Sequence, residues 1–265
     1  MPRLKLSTPI AQVTIGADPE LFLCTDRRSM TPACGLIGGS KEHPDVVPKG
    51  ALQEDNVMAE FNIDPALTVD EFIGNINTVY AELTRRAATH GLQVASRASH
   101  VFPDFLLDMH EKAKEFGCEP DFNAYTLEEN PTPDIHSNLR TCAGHVHLGF
   151  DSECTDYMQM TGEVVSYLDW IVGLWSVTVD SDTTRRERYG RAGAFRPKPY
   201  GLEYRVPSNF WLKSDDLKRI MFNRVRLAYG LAQSNAEKPD NDSVVNAINT
   251  HDVAACKELL GRYCA

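Results

Sequence analysis

Four short segments of this chain repeat one pattern, in which apolar residues alternate with residues that carry chemically active side chains. In segment 57–63, apolar residues occupy the odd positions, whereas Met58, Glu60 and Asn62 occupy the even ones. Successive side chains of a β-strand point to opposite faces, so the odd positions predict a buried face. The pattern therefore indicates a strand that buries one side and presents a carboxylate and an amide on the other.

The other three segments follow the same rule and would present three further polar pairs: Asp18 with Glu20, His145 with His147, and Glu203 with Arg205. An exposed strand edge is the alternative interpretation of the first pair. If the four strands adjoin in one sheet, their carboxylates repel one another unless cations lie between them. Oxygen-rich ligation favours Mg²⁺ or Mn²⁺, and an HxH pair is a competent metal ligand.

A basic stretch precedes the last of these strands in a chain that is otherwise acidic. The chain has 27 Lys+Arg against 37 Asp+Glu and a net charge of −10, which argues against general nucleic-acid binding. Segment 185–198 nevertheless holds six cations and one acid, and Gly190 and Gly193 predict a loop. Such a cluster suits a polyphosphate and its divalent metal, with a surface basic patch as the alternative. The cations are Arg185, Arg186, Arg188, Arg191, Arg196 and Lys198.

Helical periodicity separates these strands. A capping box at Thr68–Glu71 predicts a helix over 69–90, the segment 156–180 predicts a long buried helix, and further helices are expected from Ser214 onward. The fold class is therefore α+β, with a curved, mainly antiparallel sheet that lines a cleft and helices packed on its other face. We expect one domain over residues 1–265, with a helical C-terminal segment from about residue 214.

Several other classes of protein are disfavoured. The sequence contains no uncharged apolar stretch long enough to span a bilayer, and its start lacks the apolar core of a signal peptide, so we expect a cytoplasmic protein without a membrane partner. The seven cysteines form no CxxC pair, which disfavours a zinc ribbon. Cys142, near the HxH pair, is a candidate nucleophile, although a buried inert thiol is commoner. Ser40 breaks the Walker pattern before Lys41, which leaves a loop that offers Lys41 to an anion.

Four blocks together resemble a known family. The blocks GADPELFL, ALQEDNVMAEFN, AGHVHLG and YGRAGAFRPKPYGLEYRVPSNFW are similar, in the same order, to those of the phage-type carboxylate–amine (COOH–NH2) ligases. These ligases belong to the wider glutamine synthetase and glutamate–cysteine ligase fold. The resemblance runs from about residue 14 to residue 212. The resemblance implies a catalytic domain like that of glutamine synthetase. It also implies a cytoplasmic protein, located in the host cytoplasm if a phage encodes it.

The resemblance also implies an activity: an ATP-dependent ligase that joins a carboxylate to an amine through an acyl phosphate, with ATP and Mg²⁺ (or Mn²⁺) as cofactors. The partners would be small-molecule or peptide carboxylates and amines, and the oligomeric state stays open. Residue by residue, it implies that Arg205 contacts the transferred phosphate and that Arg196 and Arg191 share the catalytic role. Nucleotide-binding residues would be Arg188, Arg191, Arg196, Lys198 and His145, and metal ligands Glu20, Glu60, His147, Glu203 and Asp18.

Two departures from the family pattern reduce the expected metal set. Asp18 is shorter than the glutamate usual in glutamine synthetases, and Asn62 carries no charge, so two metals are better supported than three. The sequence is also compatible with two other functions. A metal-dependent hydrolase would use the same carboxylates and histidines, and a non-catalytic protein would use the arginines to bind an anion or a nucleic acid.

Overall fold

The structure, a computed structural model, describes residues 4–26, 29–114, 121–131 and 138–263. Its strands are β1 Thr14–Cys24, β2 Met30–Thr31, β3 Asp45–Val47, β4 Gly50–Asp55, β5 Met58–Ile63, β6 Gln93–Ala95, β7 Ser99–Val101, β8 Phe122–Asn123, β9 Leu139–Thr141, β10 Gly144–Gly149, β11 Ala194–Lys198 and β12 Gly201–Tyr204. Its α-helices are α1 Val69–Thr89, α2 Asp104–Leu107, α3 Tyr157–Leu168, α4 Leu174–Val179, α5 Thr184–Arg188, α6 Asp215–Ser234, α7 Asn241–Asn249 and α8 Val253–Tyr263. A π-helical turn, Asp169–Gly173, joins α3 to α4.

The main sheet is open, with the strand order β3-β4-β5-β1-β10-β12-β11-β8, and β2 and β6 also pair with β1. Every strand pairing among the described residues is antiparallel. The four predicted polar strands are the central ones, β5, β1, β10 and β12, and they are consecutive neighbours. The predicted fold class, α+β with a mainly antiparallel sheet and helices, is confirmed.

One face of this sheet belongs to the main hydrophobic core. On β1 the residues Ile15, Ala17, Leu21 and Leu23 point into that core, where they join apolar residues of α1, α3, α4 and α6. The opposite face of β1 carries Asp18 and Glu20 and then Phe22, which is part of a second, smaller apolar cluster. The period-2 pattern therefore separates a packed face from a face that is polar at its centre and covered at one end.

The helices begin and end where their sequence signals indicate. The Thr68 side chain accepts a hydrogen bond from the N–H of Glu71, and the Glu71 carboxylate accepts one from the N–H of Leu67, which together cap the first turn of α1. Gly91, with φ of +70°, follows the end of α1 as a left-handed residue that stops the helix. Ser214 caps α6 in the same manner as Thr68.

Two predictions about secondary structure were wrong in part. Segment 185–198 is not a loop: it contains most of α5 and all of β11. The reason is that Arg185 is buried and donates to the carbonyl oxygens of Arg205 and Val206 at 2.9 Å each, so it braces the chain instead of facing an anion. The predicted single helix over 156–180 is interrupted by the π-helical turn.

No helix within the described ranges is both long and apolar enough to cross a membrane. The assignment of residues 1–265 to one domain stays a prediction. Cys142 is fully buried, and burial raises the pKa of its thiol well above the ordinary value, so a thiolate nucleophile at this position is disfavoured.

Candidate active site

Strand register aligns the predicted polar residues in a row across the sheet. Directly opposite pairs are Gln53 with Glu60, Glu60 with Glu20, Asp18 with His145, His147 with Glu203, and Glu203 with Arg196. Side chains that lie directly opposite on antiparallel strands are close enough to interact. The fold therefore gathers groups from more than 180 residues of sequence onto one polar strip.

Glu203 is the centre of the cationic half of the strip. Its side chain is fully buried, yet Arg196 and Lys198 each place a nitrogen 3.1 Å from its Oε2, and Arg205 contacts its Oε1. Burial acts to raise the pKa of this carboxyl, but the positive charge of Arg205 foremost holds the pKa at about 2. Glu203 is therefore ionised and fixes three cations around one point.

Arg205 is itself held from two further sides. Its Nε donates to Asp121 Oδ2 at 3.2 Å, and its Nη1 lies 3.4 Å from His145 Nδ1. Burial and the charge of Arg205 lower the pKa of His145 to about 4, so this imidazole is neutral near pH 7. The guanidinium is consequently oriented before any substrate binds, which is the preorganisation that charge stabilisation requires.

Asp18 and His147 form the middle of the strip. Asp18 Oδ1 lies 2.9 Å from His147 Nε2, and the other imidazole nitrogen, Nδ1, contacts the Tyr200 hydroxyl at 2.6 Å. Burial acts to raise the pKa of Asp18 and to lower that of His147. The attraction between the two side chains outweighs this effect of burial. The pKa of Asp18 therefore lies well below its ordinary value, and the pKa of His147 lies above its ordinary value.

The acidic half of the strip consists of Glu20, Glu60 and Asp55. Burial, together with the charge of Asp55, raises the pKa of Glu20 to about 7, although its Oε2 accepts the N–H of Ala143 at 2.7 Å. Burial and the charges of neighbouring carboxylates, Asp18 first, raise the pKa of Glu60 well above its ordinary value. Lys41 contributes a cation here, with its Nζ 3.0 Å from Asp55 Oδ1. This half therefore holds more carboxylate than it can neutralise.

The donor set fits a divalent cation. Ligand atoms of Asp18, His147 and Glu203 all lie within 4.8 Å of one another, which a single ion can bridge. Asp18 Oδ1 and His147 Nε2 are buried 2.9 Å apart in a geometry that makes no hydrogen bond between them, and buried polar atoms of this kind require a partner. The carboxylate oxygens of this set suit Mg²⁺ or Mn²⁺, whereas imidazole is the more usual ligand of Zn²⁺ and Fe²⁺.

Two adjoining cavities open on the strip. Within the described part of the chain, five carboxylates but only three cationic side chains, Lys41, Arg196 and Arg205, line the inner pocket, which has a volume of about 210 Å³. The outer groove, about 490 Å³, is lined partly by Gly16, Asn62 and Tyr200. Both cavities share one wall, which is made by Asp18, Gln53 and Glu60. The excess of carboxylates in the inner pocket is what a bound divalent cation would offset.

Most of the predicted site residues lie together. The residues that share the strip or line its cavities are Asp18, Glu20, Glu60, His145, His147, Arg196, Lys198, Glu203 and Arg205. Arg188 and Arg191 are exposed and line neither cavity, because α5 and the turn after it direct them away from the pair Arg185 and Arg186, which are buried. Their predicted roles in nucleotide binding and catalysis gain no support from this geometry.

Sequence reasoning missed or undervalued several residues of the site. Asp55 and Tyr200 each lie in or beside a tight hairpin turn, β4–β5 and β11–β12 respectively, and neither belongs to an alternating pattern. Asp121 reaches Arg205 from a segment without a clear periodic signal. Lys41 could be found from its glycine-rich loop, but its distance from the strip depends on tertiary packing.

Comparison with known proteins gives one family match. Residues 135–254 match the family model described as phage phiEco32-like COOH.NH2 ligase-type 2. The resemblance inferred from the sequence blocks is confirmed over this segment. The segment contains β10, β11 and β12, and with them the HxH pair, Glu203 and its three cations, whereas Asp18, Glu20 and Glu60 precede it.

A solved structure described as the crystal structure of a novel glutamine synthase homolog is similar to this chain, with a TM-score of 0.43 and 13% sequence identity. The similarity covers 93% of this chain and 63% of that structure, so this chain spans less than two thirds of its length. No curated protein matches the chain.

Proposed function

We propose that this protein is an ATP-dependent carboxylate–amine ligase that forms an amide bond through an acyl phosphate. The observation that carries the proposal is the arrangement at Glu203, where three cations surround one buried carboxylate within reach of Asp18 and His147. Polyphosphates bind where fixed cations and a divalent ion meet. The family match over 135–254 supports the ligase class.

The reaction divides into two steps. In the first, a carboxylate oxygen of one substrate attacks the γ-phosphorus of ATP, the bond from that phosphorus to the β–γ bridging oxygen breaks, and ADP leaves with the electron pair. In the second, the nitrogen lone pair of an amine attacks the acyl carbon, the acyl carbon–oxygen bond breaks and inorganic phosphate leaves. The nitrogen loses one proton to solvent and an amide remains; an amine that binds as an ammonium group first loses one other proton to solvent, which frees its lone pair.

The residues of the strip have separate tasks in this scheme. Asp18, His147 and Glu203 would hold the divalent cation, with Glu20 as a candidate ligand of a second one, and the bound cation supplies charge neutralisation for the phosphates. Arg205, fixed by Asp121 and by His145, would contact the phosphoryl oxygens as negative charge shifts from the attacking carboxylate to ADP. Arg196 and Lys198 share that role from β11.

A coupled assay tests the proposal. Purified protein with Mg²⁺ and ATP should release ADP only when a pool of carboxylates and a pool of amines are both present. Replacing the amines with hydroxylamine should trap the acyl phosphate as a hydroxamate. Release of AMP and pyrophosphate would refute the acyl-phosphate route, and amide or phosphodiester cleavage without ATP would favour the metal-dependent hydrolase.

A further inference from the structure

The two cavities differ in their charge, and the difference carries an inference about the substrates. The inner pocket is lined by Lys41, Arg196 and Arg205. Among the residues that the structure describes, no lysine or arginine lines the outer groove, whereas Asp18 and Glu60 do. The charged groups that an anion would meet in the groove are the two carboxylates and the His147 imidazole, which already contacts Asp18; its other polar groups are neutral. The groove is therefore suited to a cationic or neutral group.

One atom of the wall that the groove shares with the inner pocket requires a partner. Glu60 is 7% exposed, and its Oε2 makes no hydrogen bond. A buried carboxylate oxygen without a donor is costly, and an ammonium group offers three donors. Asn62 lies two positions further along β5 on the same face, so its amide oxygen provides a second acceptor toward the same space.

The remaining lining of the groove is uncharged, and its polar groups belong to Thr14, Gln53 and Tyr200. Gly16, Gly149 and Pro65 contribute no polar side-chain atoms, and the Tyr200 ring lies alongside. At about 490 Å³ the groove has the volume of an ordinary small-molecule site. A ligand that matches both features has an aliphatic body and one ammonium end.

We infer that the outer groove is the subsite for the amine substrate and that it binds a primary alkylammonium group at Glu60 and Asn62. That the bound amine is a substrate rests on the proposed function, whereas its binding in the groove does not require ATP. Because Glu60, Asp18 and Gln53 line both cavities, an amine held here would lie beside the pocket in which the cations would hold an activated carboxylate. The two substrates would then enter from different sides.

Three probes of equal length test the site without ATP: n-butylammonium, n-butanol and n-butyrate. Ligand-observed NMR in saturating Mg²⁺ should detect binding of butylammonium, weak or no binding of butanol and none of butyrate in the groove. Asn62→Leu and Glu60→Gln should each weaken butylammonium binding about tenfold, the loss expected for one charged hydrogen bond, and Asn62→Asp should strengthen it. Glu60→Gln keeps the shape and removes a repelling charge, so this variant should fold.

Two controls make the result specific. Asn246→Leu, at an exposed position on α7, should leave butylammonium binding unchanged, and Arg196→Met should weaken binding of magnesium pyrophosphate without affecting butylammonium. Butyrate binding that is lost in Asn62→Leu, or butylammonium affinity unaltered in both Asn62→Leu and Glu60→Gln, would overturn the inference. Butylammonium binding in a protein that releases no ADP from ATP when carboxylates and amines are both supplied would count against the ligase and leave the amine subsite standing.

Discussion

At the scale of single residues, Glu203 is the group on which the site depends most. It is fully buried and contacts Arg196, Lys198 and Arg205, so a change at this carboxylate alters three cations at once. Removing one partner from a buried ionic cluster leaves uncompensated charge, which costs several kcal/mol. The carboxylate also neutralises cations that would otherwise repel one another.

Glu203→Gln should abolish ATP turnover, with a loss of at least about 100-fold, and lower the free energy of unfolding by about 3 kcal/mol. The amide keeps the shape of the side chain but removes the charge that positions Arg205. Steady-state ADP release and chemical denaturation measure the two effects, with Glu237→Gln, an exposed change, as the matched control. Turnover at the wild-type rate would contradict both the metal assignment and the cation-positioning role.

Tyr200 is a second informative residue, because its hydroxyl lies 2.6 Å from His147 Nδ1. When this hydroxyl accepts a hydrogen bond from Nδ1–H, the lone pair of Nε2 is free to ligate a cation. Tyr200→Phe should therefore weaken Mn²⁺ binding about tenfold, measured by isothermal titration calorimetry. Tyr80→Phe, whose ring packs on Phe61 away from the strip, is the control. Unchanged Mn²⁺ affinity in Tyr200→Phe would show that the hydroxyl does not orient the imidazole.

At the scale of elements, the loop before β3 brings a cation to the inner pocket. The Glu54 carboxylate accepts the backbone N–H groups of Gly35, Ile37 and Gly38 at 2.7–2.8 Å, which pins the loop to β4. Lys41 follows this pinned turn and contacts Asp55. The sequence rules out a Walker loop here. The structure shows instead that one carboxylate, that of Glu54, holds the loop by accepting three of its backbone N–H groups.

Lys41→Met should weaken the binding of magnesium pyrophosphate about tenfold, since one cation of the inner pocket is lost. Lys41→Arg should retain most of the affinity. Glu54→Gln should give an intermediate loss, because an amide accepts the three N–H groups less strongly and the loop is less well held. Calorimetric titration of all three variants checks the order. Equal affinity in Lys41→Met and the wild type would remove the loop from the site.

The π-helical turn between α3 and α4 contains a buried acid behind the sheet. Asp169 accepts hydrogen bonds from the hydroxyls of Tyr204 and Tyr125 at 2.6 and 2.9 Å and from the N–H of Gly193 at 2.6 Å. Tyr204 adjoins Glu203 on β12, and Gly193 precedes β11. The turn thus ties together the two strands that carry the cations, and π-turns often occur where such a local arrangement is needed.

Asp169 should make the stability of the protein depend on pH. Burial raises its pKa from 3.8 to about 6, although the hydrogen bonds to Tyr204 and Tyr125 oppose the shift. A raised pKa means that the folded chain holds the proton more tightly, so the associated stability is complete below pH 3.8 and is lost as the pH rises to about 6. The loss amounts to about 3 kcal/mol.

Asp169→Asn removes this titration. Denaturant unfolding of both proteins across the same pH range should show the wild type losing stability relative to the variant as the pH rises, and a constant difference above that range. A difference between the two proteins that does not change with pH would contradict the raised pKa of Asp169.

The sequence predicted the elements of the site better than their contacts. Alternation was enough to place Asp18, Glu60, His147 and Glu203 on one face, because a strand with one packed face has only one register that buries its apolar residues. The arginines of 185–198 were harder to interpret, since a guanidinium can brace buried carbonyl groups, as Arg185 does, as readily as it binds an anion. Lys41 and Tyr200 approach the strip only through tertiary packing.

At the scale of the whole molecule, the packed sheet holds several carboxylates close together with too few cations to neutralise them. Asp18, Glu20 and Glu60 are held on the central strands by a core that packs against the other face of the sheet. Folding therefore forces carboxylates together that are far apart in the unfolded chain. A ligand that neutralises them in the folded state alone must raise the free energy of unfolding.

Mn²⁺ should therefore stabilise the whole fold. At 100 times its Kd, binding to the native state adds about 2.7 kcal/mol, which for a chain of this size raises Tm by roughly 5–10 °C. The shift, measured by differential scanning calorimetry and reversed by EDTA, should be lost in His147→Gln and retained in Asp70→Asn, where the carboxylate is exposed. An equal shift in His147→Gln and the wild type would place the cation away from the Asp18–His147–Glu203 cluster. Absence of any shift would mean that the buried carboxylates are balanced by protons and by Lys41, Arg196 and Arg205 alone.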